Sequence, residues 1–373
     1  MRKNITLFVA LALAAAALPC YSGPVVFSSS DDAGGAFRTM NGNDLLIEFY
    51  ASGSLPGVTA IAFADIRPDP GDEIIVGRNG TLEIRSGSGY ALLDSRGGFE
   101  MINSIAVGDL DTGHPGKEIV VSSTTGGVGR LSVVDPQTAG LPDLAFLTAG
   151  VGMSATGIGD VRTDTAGNEL VFCWQYQASP DATQVAVTRY ASGVIDPVIT
   201  FVNVTGVVNA LVCAKTNPAV ASDQIVTGCS DGVLHVFNGN TVPPMDQMWR
   251  GGFQNITAMA VGEVRSDNPG LEIVEGSNDS GGAVRVISGS DIFSDITSRA
   301  GFVSFQAVAI GDVNSTHAGN DVVAASSDSG NALRIMNPDD GLADLAGRSG
   351  FGAFTSAGVY DAPITGVNDW TLY

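Results

Sequence analysis

The chain of 373 residues carries 39 acidic and 18 basic side chains, a formal net charge of −21 at pH 7. An acidic surface repels phosphate backbones, so nucleic acid is excluded as an expected partner. Its 48 glycines and its alternating Val, Ile and Ala runs are typical of a globular, β-rich protein.

Residues 1–22 predict a secretory signal peptide. Two basic residues precede the apolar run ITLFVALALAAAALP, and small residues follow it up to Ser22, near which we expect cleavage. Lipid attachment at Cys20 is the alternative, disfavoured because a proline precedes it. Neither this run nor any later stretch suits a membrane span, which needs roughly 18 apolar residues. We therefore expect a secreted protein, extracellular, periplasmic or on the cell surface, with residues 23–373 forming one domain.

Three cysteines remain once the signal is removed: Cys173, Cys213 and Cys229. An odd number allows at most one disulfide and leaves a spare thiol. The protein is therefore not a disulfide-based scaffold.

A repeated unit occupies the rest of the chain. The stretch SIAVGDLDTGHPGKEIVV, beginning at Ser104, recurs as an apolar strand that ends at an anchor residue, a loop of nine or so residues, and a second strand. A turn rich in Ser, Asp and Gly, a third alternating strand and a less regular fourth follow. Four short strands per period of roughly 40–50 residues indicate a propeller blade. The anchors in chain order are Asp65, Asp109, Asp160, Ala214, Glu263, Asp312 and Asp361.

The two ends of the repeat region complete each other. VVFSSSDDAGGAFRTMNGND, beginning at Val25, aligns with VVAASSDSGNALRIMNPDDG, beginning at Val322, so the mature chain starts at the second strand of a blade. The copy around residues 355–360 supplies the missing first strand. Pairing the two ends leaves no exposed sheet edge. The sequence thus predicts an all-β, seven-bladed β-propeller of four-stranded blades, closed by a composite blade from the N- and C-termini.

A second element, RGGF, RAGF or RSGF, precedes four of the copies. Its aromatic residue lies ten residues before the anchor, at Phe99, Phe253, Phe302 and Phe351. We expect this ring to pack between adjacent sheets, with the glycine relieving crowding.

With both elements in view, the chain resembles the FG-GAP/VCBS repeat family, which builds the integrin α-subunit propeller and many secreted bacterial propellers. The resemblance rests on the Gly–Phe element, on pairs such as Gly108–Asp109 and Gly311–Asp312, and on the loop acids before EIVV-type strands. It covers about residues 24 to 361. It implies a propeller fold and a role in adhesion or ligand binding, less often as part of an enzyme.

The family's calcium loop follows roughly D-x-D-x-D-G-x-x-D, and every copy here departs from it. Three loops place an arginine at the third position, and we expect Arg–carboxylate pairs to hold them in place of a metal. Their residues are Asp65, Arg67 and Asp69; Asp160, Arg162 and Asp164; Glu263, Arg265 and Asp267. The copy at Ala214 has lost the site.

Two other loops keep more residues of the ligand type and carry a histidine, His114 or His317, at the sixth position. Calcium needs six or more oxygens, so a purely structural loop is favoured here also, and zinc is weaker because each loop offers one histidine. If calcium binds, the expected ligands are Asp109, Asp111, Glu118, Asp312, Asn314 and Asp321.

Few other residues suggest a catalytic or ligand-binding site. Residues 228–232 match G-x-S-x-G, but they fall in the turn between two strands rather than at a strand-to-helix elbow, so we do not expect a nucleophile. The irregular copy from Ser154 to Thr205 carries Trp174 and Tyr176, which either bind a ligand or pack between blades.

Three functions are compatible with these observations. The favoured one is a secreted, non-catalytic binding or adhesion module for a protein or carbohydrate ligand, acting as a monomer, with no cofactor other than calcium. The alternatives are a polysaccharide-active lyase or hydrolase that uses channel carboxylates, and a structural component of an envelope or matrix assembly.

Overall fold

A computed structural model describes residues 24–361 except 32–35, 44, 54, 69, 70, 88, 112, 150, 151, 177, 178 and 269. The predicted signal peptide, with Cys20 and Ser22, lies outside the described residues. Within the described part of the chain, no helix has the length and apolar character needed to cross a membrane.

Seven antiparallel sheets are arranged around a central axis, and each has four strand positions from the axis to the rim. Blade 1 comprises β4 Val58–Ala64, β5 Glu73–Arg78, β6 Thr81–Arg85 and β7 Leu92–Arg96. Blade 2 comprises β8 Met101–Gly108, β9 Glu118–Thr125, β10 Val128–Val134 and β11 Asp143–Ala149. Blade 3 comprises β12 Met153–Gly159, β13 Glu169–Tyr176, the long β14 Ser179–Ala191, and β15 Val194–Ile195 and β16 Thr200–Thr205, which both pair with β14.

The remaining blades follow the same plan. Blade 4 comprises β17 Val208–Ala214, β18 Gln224–Cys229, β19 Leu234–Asn238 and β20 Met245–Arg250. Blade 5 comprises β21 Ile256–Gly262, β22 Glu272–Ser277, β23 Ala283–Ser288 and β24 Asp291–Ala300, with a 3₁₀ turn at Asp279–Gly281. Blade 6 comprises β25 Phe305–Gly311, β26 Asp321–Ser326, β27 Ala332–Asn337 and β28 Ala343–Ser349. Blade 7 comprises β29 Phe354–Asp361, β1 Pro24–Ser30, β2 Ala36–Asn41 and β3 Ile47–Ser52.

The composite blade confirms the predicted closure, because β29 from the C-terminal end pairs with β1 from the N-terminal end. The register differs from the alignment by one residue. Val26 lies opposite Met40 as Val322 lies opposite Met336, so Val26, and not Val25, occupies the place of Val322. The seven-bladed, nearly all-β architecture is the one predicted.

We call the side where the inner strands begin the top face and the side with the anchor loops the bottom face.

The anchor of blade 4 is Lys215. Ala214 pairs with Gln224 as Gly108 pairs with Glu118, so the anchor follows Ala214, and the assignment to Ala214 was wrong by one residue. A lysine therefore stands where the other copies carry an acid.

The Gly–Phe element packs between blades, as predicted. Phe99 belongs to the core of blades 1 and 2, and its three counterparts lie in the cores between blades 4 and 5, 5 and 6, and 6 and 7. Crowding is not the reason for the glycine before the ring: a Cβ on Gly98 would meet nothing within 4 Å. Its φ of +98° is the reason, since side chains other than glycine rarely adopt that conformation.

The arginine of the same element joins the rims of adjacent blades. Arg96, at the end of β7, donates to the carbonyl of Leu141 and to the carboxylate of Asp143 in the next blade, and it lies 5.2 Å from the Phe99 ring centroid. The same contacts recur from Arg250 to Ile292 and Asp295, from Arg299 to Leu342 and Asp344, and from Arg348 to Leu46 and Glu48.

Candidate functional site

The bottom-face loops share one design built on the first residue of each second strand. This residue is a buried carboxylate in five blades, and one of its oxygens accepts a hydrogen bond from a backbone N–H just after the anchor. The pairs are Ile66 N to Glu73, Leu110 N to Glu118, Val161 N to Glu169, Val264 N to Glu272 and Val313 N to Asp321. In blade 4, Gln224 accepts from Asn217 N at 2.8 Å. The distal acid therefore closes the loop.

In blades 2, 3, 5 and 6 the second oxygen of the same carboxylate faces a donor group at the sixth loop position. Thr165 donates to Glu169, and Asn268 donates to Glu272 at 2.6 Å. In the two histidine loops the donor position is filled by an imidazole, described next. A donor group of the protein, neutral or cationic, thus occupies the place beside the distal carboxylate that a metal ion would take.

The two histidines bridge carboxylates. His317 Nδ1 lies 2.9 Å from Asp321 Oδ1, and its Nε2 lies 3.1 Å from Asp339 Oδ2. Burial opposes the charged ring, but the hydrogen bonds to Asp339 and Asp321 outweigh it, and the pKa of His317 is raised. His114 Nδ1 lies 3.0 Å from Glu118 Oε1 but without hydrogen-bond geometry, and burial raises the pKa of that carboxyl.

The expected calcium ligands do not converge. Asp109 and Asp312 are exposed, and the two oxygens of Asp111 accept from Gly113 N and Ser192 N. Asn314 donates its amide to Gly42 O and accepts from Thr316 N. Among the described residues, no group of three His, Cys, Asp or Glu side chains has a metal-binding arrangement. The donor set as arranged does not fit calcium, and the titration described in the Discussion tests whether calcium binds.

The arginine loops are held by ion pairs, although not all within the loop. Arg162 binds Asp164 through two parallel hydrogen bonds of 2.9 and 2.7 Å, and Arg265 binds Asp267 in the same way. Arg67 instead contacts Asp94 on β7 at 3.0 Å. Asp69, its expected loop partner, lies outside the described residues.

The G-x-S-x-G match lies in the β18–β19 turn, as expected. Ser230 Oγ accepts a hydrogen bond from Val207 N, so the hydroxyl serves the connection between blades 3 and 4. His235 pairs with Asp246 on β20 at 2.7 Å and stacks on Phe237. These contacts are structural.

The three cysteines are free thiols in the core between blades 3 and 4. Burial raises the pKa of Cys229 to about 12 and raises the pKa values of Cys173 and Cys213 as well. Protonated, buried thiols of this kind are poor nucleophiles.

Trp174 is half-buried rather than presented to solvent. Its ring lies edge-on to Phe172 at 5.1 Å, and its indole N–H donates to Gln184. The packing alternative thus accounts for Trp174. The Tyr176 side chain is not among those the structure describes, so its role stays a prediction.

The top face opens where the Gly–Phe element is missing. Blades 1, 3 and 4 lack it before their first strands, and a cavity of about 400 Å³ lies where blades 3 and 4, which are adjacent, both lack it. We call it the groove; its lining comprises Met101, Asn103, Thr124, Gly152, Met153, Ser154, Gln175, Val207, Val208 and Asn209. Every one of these side chains is uncharged.

A second cavity, of about 280 Å³, lies on the propeller axis and shares Asn103, Ser154 and Asn209 with the groove. We call it the axial cavity. Its described lining is again free of charged side chains, although the chain carries a net charge of −21.

The lining of the axial cavity includes six members of a seven-residue ring that the sequence analysis missed. Each inner strand skips one residue in its pairing with the second strand, a β-bulge, and the skipped residue is polar in all seven blades. The ring comprises Thr59, Asn103, Ser154, Asn209, Thr257, Gln306 and Thr355. Each lies six residues before the anchor position, so a column of the repeat alignment could have found it once blade 4 was shifted to Lys215.

The fold and these cavities define the protein as a seven-bladed β-propeller with neutral openings on its top face. No family model matches the chain, and no curated protein matches it significantly. Among solved structures, it is similar to BBS1N crystallised in complex with ARL6DN, at 14% identity over 86% of this chain and 92% of that chain, with a TM-score of 0.58. It is also similar to Sqt1 of Saccharomyces cerevisiae, at 13% identity over 88% of this chain and 83% of that chain, with a TM-score of 0.58. These likenesses support the propeller fold.

Proposed function

We propose that this protein is a secreted, monomeric, non-catalytic binding or adhesion propeller, related to FG-GAP/VCBS proteins, whose partner binds at the groove. The groove carries the proposal, because it is an uncharged opening on an acidic protein and lies where two adjacent blades, 3 and 4, lack the Gly–Phe element. Repeat scaffolds tend to place binding where their repeats are irregular.

The chemistry of the openings favours binding over catalysis. A glycoside hydrolase acting through channel carboxylates needs a pair of acids at the site. The described linings of the groove and of the axial cavity contain none, and the buried carboxylates at the start of the second strands accept hydrogen bonds from backbone N–H groups. The structure of BBS1N in complex with ARL6DN supports a protein partner as one possibility for a propeller of this shape.

The test begins with a screen of the purified chain against arrayed glycans and displayed extracellular proteins. The hits are then measured with Gly152→Trp, which fills the groove. A Cβ at Gly152 meets only the Gln175 side chain, at 3.6 Å, so the fold should tolerate the change. Gly53→Trp is the matched control, because Gly53 is exposed and a Cβ there meets nothing within 4 Å.

We expect Gly152→Trp to abolish binding and Gly53→Trp to retain it. Partners that bind both variants equally would contradict the groove as the site. Turnover of a uronic-acid polysaccharide that single acid substitutions abolish would contradict the non-catalytic role.

A further inference from the structure

We propose that the outer edge of blade 3 binds an extended segment of a basic partner protein, which adds a strand beside β16. The proposal goes beyond the proposed function, because it assigns a second contact surface on the rim, outside the lining of the groove. It rests on three exposed aromatic residues, on an uncharged edge strand and on the acids at the two ends of that strand.

Three aromatic side chains are exposed among those that the structure describes, and they lie on the outer strands of three consecutive blades. They are Phe146 on β11, Phe201 on β16 and Trp249 on β20, with 57%, 43% and 61% of their surface exposed. The strand registers place all three in one row, which crosses each blade from the residue four positions before the anchor. We call these three residues the rim patch.

The blade itself does not require a large residue at this position. The other four blades carry small, exposed residues there: Ala51, Ser95, Ser298 and Gly347. Exposed aromatic residues that cluster on a surface are typical of contact sites for other proteins. Adjacent outer strands are more than about 12 Å apart, since each lies three strand spacings from the inner strands. An extended segment or a broad protein surface, rather than a small molecule, therefore suits the rim patch.

The middle strand of the rim patch has an unpaired and uncharged edge. In the described part of the chain, β16 pairs with β14 alone. Its sequence TFVNVT carries no charge, whereas the outer strands of the other six blades each carry at least one acid. Charged side chains on an edge strand discourage pairing with another chain. The edge of β16 lacks this protection, and the rim contacts of the arginine element join other outer strands.

The side chains of β16 are arranged as a strand-binding edge requires. Val204 is buried in the core between blades 3 and 4 and holds the strand in place. Phe201, Asn203 and Thr205 are exposed along the other face. A segment added at such an edge gains main-chain hydrogen bonds, and its alternate side chains reach the exposed residues of the edge strand.

The charges at the two ends of β16 favour a basic segment. Asp196 lies before the strand and is the only charged residue from Ser192 to Gly206. At the other end, Thr205 donates to Asp231, which is exposed. A strand of this length spans about 20 Å, so a segment along β16 runs between the two carboxylates. The net charge of −21 also attracts basic partners and repels acidic ones.

The test selects a phage-displayed library of random linear peptides on the intact chain and uses synthetic copies of the enriched peptides as probes. We expect these peptides to carry lysine or arginine and to bind saturably. Amide hydrogen exchange should slow at residues 200–205 when a peptide binds, because the added strand protects the outward N–H groups of β16. Exchange at residues 92–96, the outer strand of blade 1, should not change.

Two pairs of variants separate the rim patch from the rest of the surface. Phe201→Ser and Trp249→Ser should each weaken peptide binding at least about tenfold, whereas Leu92→Ser, the same kind of change at an exposed residue of blade 1, should not. Asn203→Lys should weaken it similarly by repelling a basic segment, whereas Ser95→Lys, at the row position of blade 1, should not. The thermal midpoint of each variant confirms that it is folded.

Several results would overturn the proposal. These are the absence of enriched peptides, enriched peptides with a net negative charge, unchanged exchange at residues 200–205, and equal binding by the test and control variants. Binding of cellohexaose or chitohexaose that depends on Phe201 and Trp249, without peptide binding, would assign the rim patch to a carbohydrate instead. A doubled mass in light scattering that Asn203→Lys abolishes would show that a second copy of the chain covers the edge.

The two proposals fail separately. If Gly152→Trp abolishes partner binding but no peptide protects β16, the rim proposal is wrong and the proposed function stands. If peptides bind along β16 but no partner depends on Gly152, the groove is wrong and the rim proposal stands.

Discussion

Arg96 and Asp143 form two parallel hydrogen bonds across the boundary between blades 1 and 2, of 2.6 Å from Nη1 to Oδ1 and 2.7 Å from Nη2 to Oδ2. The same guanidinium lies over the Phe99 ring of its own element. One repeated tetrapeptide therefore fills the core between two blades with its phenylalanine and joins their rims with its arginine.

Breaking this rim contact should cost measurable stability. We expect a double-mutant cycle of Arg96→Ala and Asp143→Ala, measured by urea unfolding, to give a coupling free energy of about 1–2 kcal/mol, because the pair is bidentate and mostly buried. Arg96→Lys should recover little of it, since an ammonium cannot form the parallel pair. Additive single substitutions would contradict the contact.

The distal acids should matter as acceptors rather than as charges. Glu272 accepts from Val264 N at 2.7 Å and from Arg265 N at 2.9 Å. We expect Glu272→Ala to lower the unfolding free energy by about 2–3 kcal/mol, since it leaves buried donors without an acceptor. Glu272→Gln should cost much less, as blade 4 already uses Gln224 in this place. Equal costs for the two variants would show that the charge is what matters.

Calcium should leave the stability of the protein unchanged, because the expected ligands do not converge and the oxygens of Asp111 and Asp321 already accept hydrogen bonds. Thermal unfolding with added calcium and with EDTA checks this. A bound ion at a hundredfold excess over its dissociation constant would stabilise the fold by about 2.7 kcal/mol. A shift of that size, lost in Asp111→Ala, would establish the calcium site that the family resemblance implies.

Glu275 should make stability depend on pH. The residue is fully buried, one oxygen accepts from Arg285 at 2.7 Å, and the other has no partner among the described residues. Burial raises its pKa from 4.5 to about 7, in spite of Arg285. Between these values the unfolded carboxyl ionises while the folded one keeps its proton, so stability falls as pH rises and then levels off.

Between pH 4.5 and about 7, the unfolding free energy of the unmodified chain should fall by up to about 3 kcal/mol relative to that of Glu275→Gln, whose side chain cannot ionise. Urea unfolding of both proteins below and above the interval measures the difference. Parallel curves would show that Glu275 is ionised in the folded state throughout.

Tyr360 should be important for closing the ring. Its ring stacks on Phe63 of blade 1 at 5.1 Å, and its hydroxyl donates to Gly87 O at 3.0 Å. We expect Tyr360→Ala to cost about 3–5 kcal/mol of unfolding free energy, as for other buried aromatic residues. Tyr360→Phe, which keeps the ring, should cost about 1 kcal/mol. Similar losses for both would assign the effect to the hydroxyl instead.

The candidate site could be predicted only in part. The sequence identified the loops that precede an acid at the start of the second strand. It did not show which donor groups face Glu118 or Asp321, because that depends on the conformation of each loop. For Trp174 the sequence left ligand binding and packing open, because a single sequence does not show that its ring contacts Phe172 and that its indole N–H donates to Gln184.

By itself, the sequence determined the number of blades, the composite closure and the packing of Phe99 and its counterparts, because these follow from periodicity and from apolar patterns that each blade must bury against its neighbour. The tertiary structure alone decided that Thr59, Asn103, Ser154, Asn209, Thr257, Gln306 and Thr355 meet in one ring. A β-bulge changes the register by one residue without changing the composition of the strand, so the sequence pattern does not reveal it. Residues some 50 positions apart come to the same axis only because the blades close into a ring.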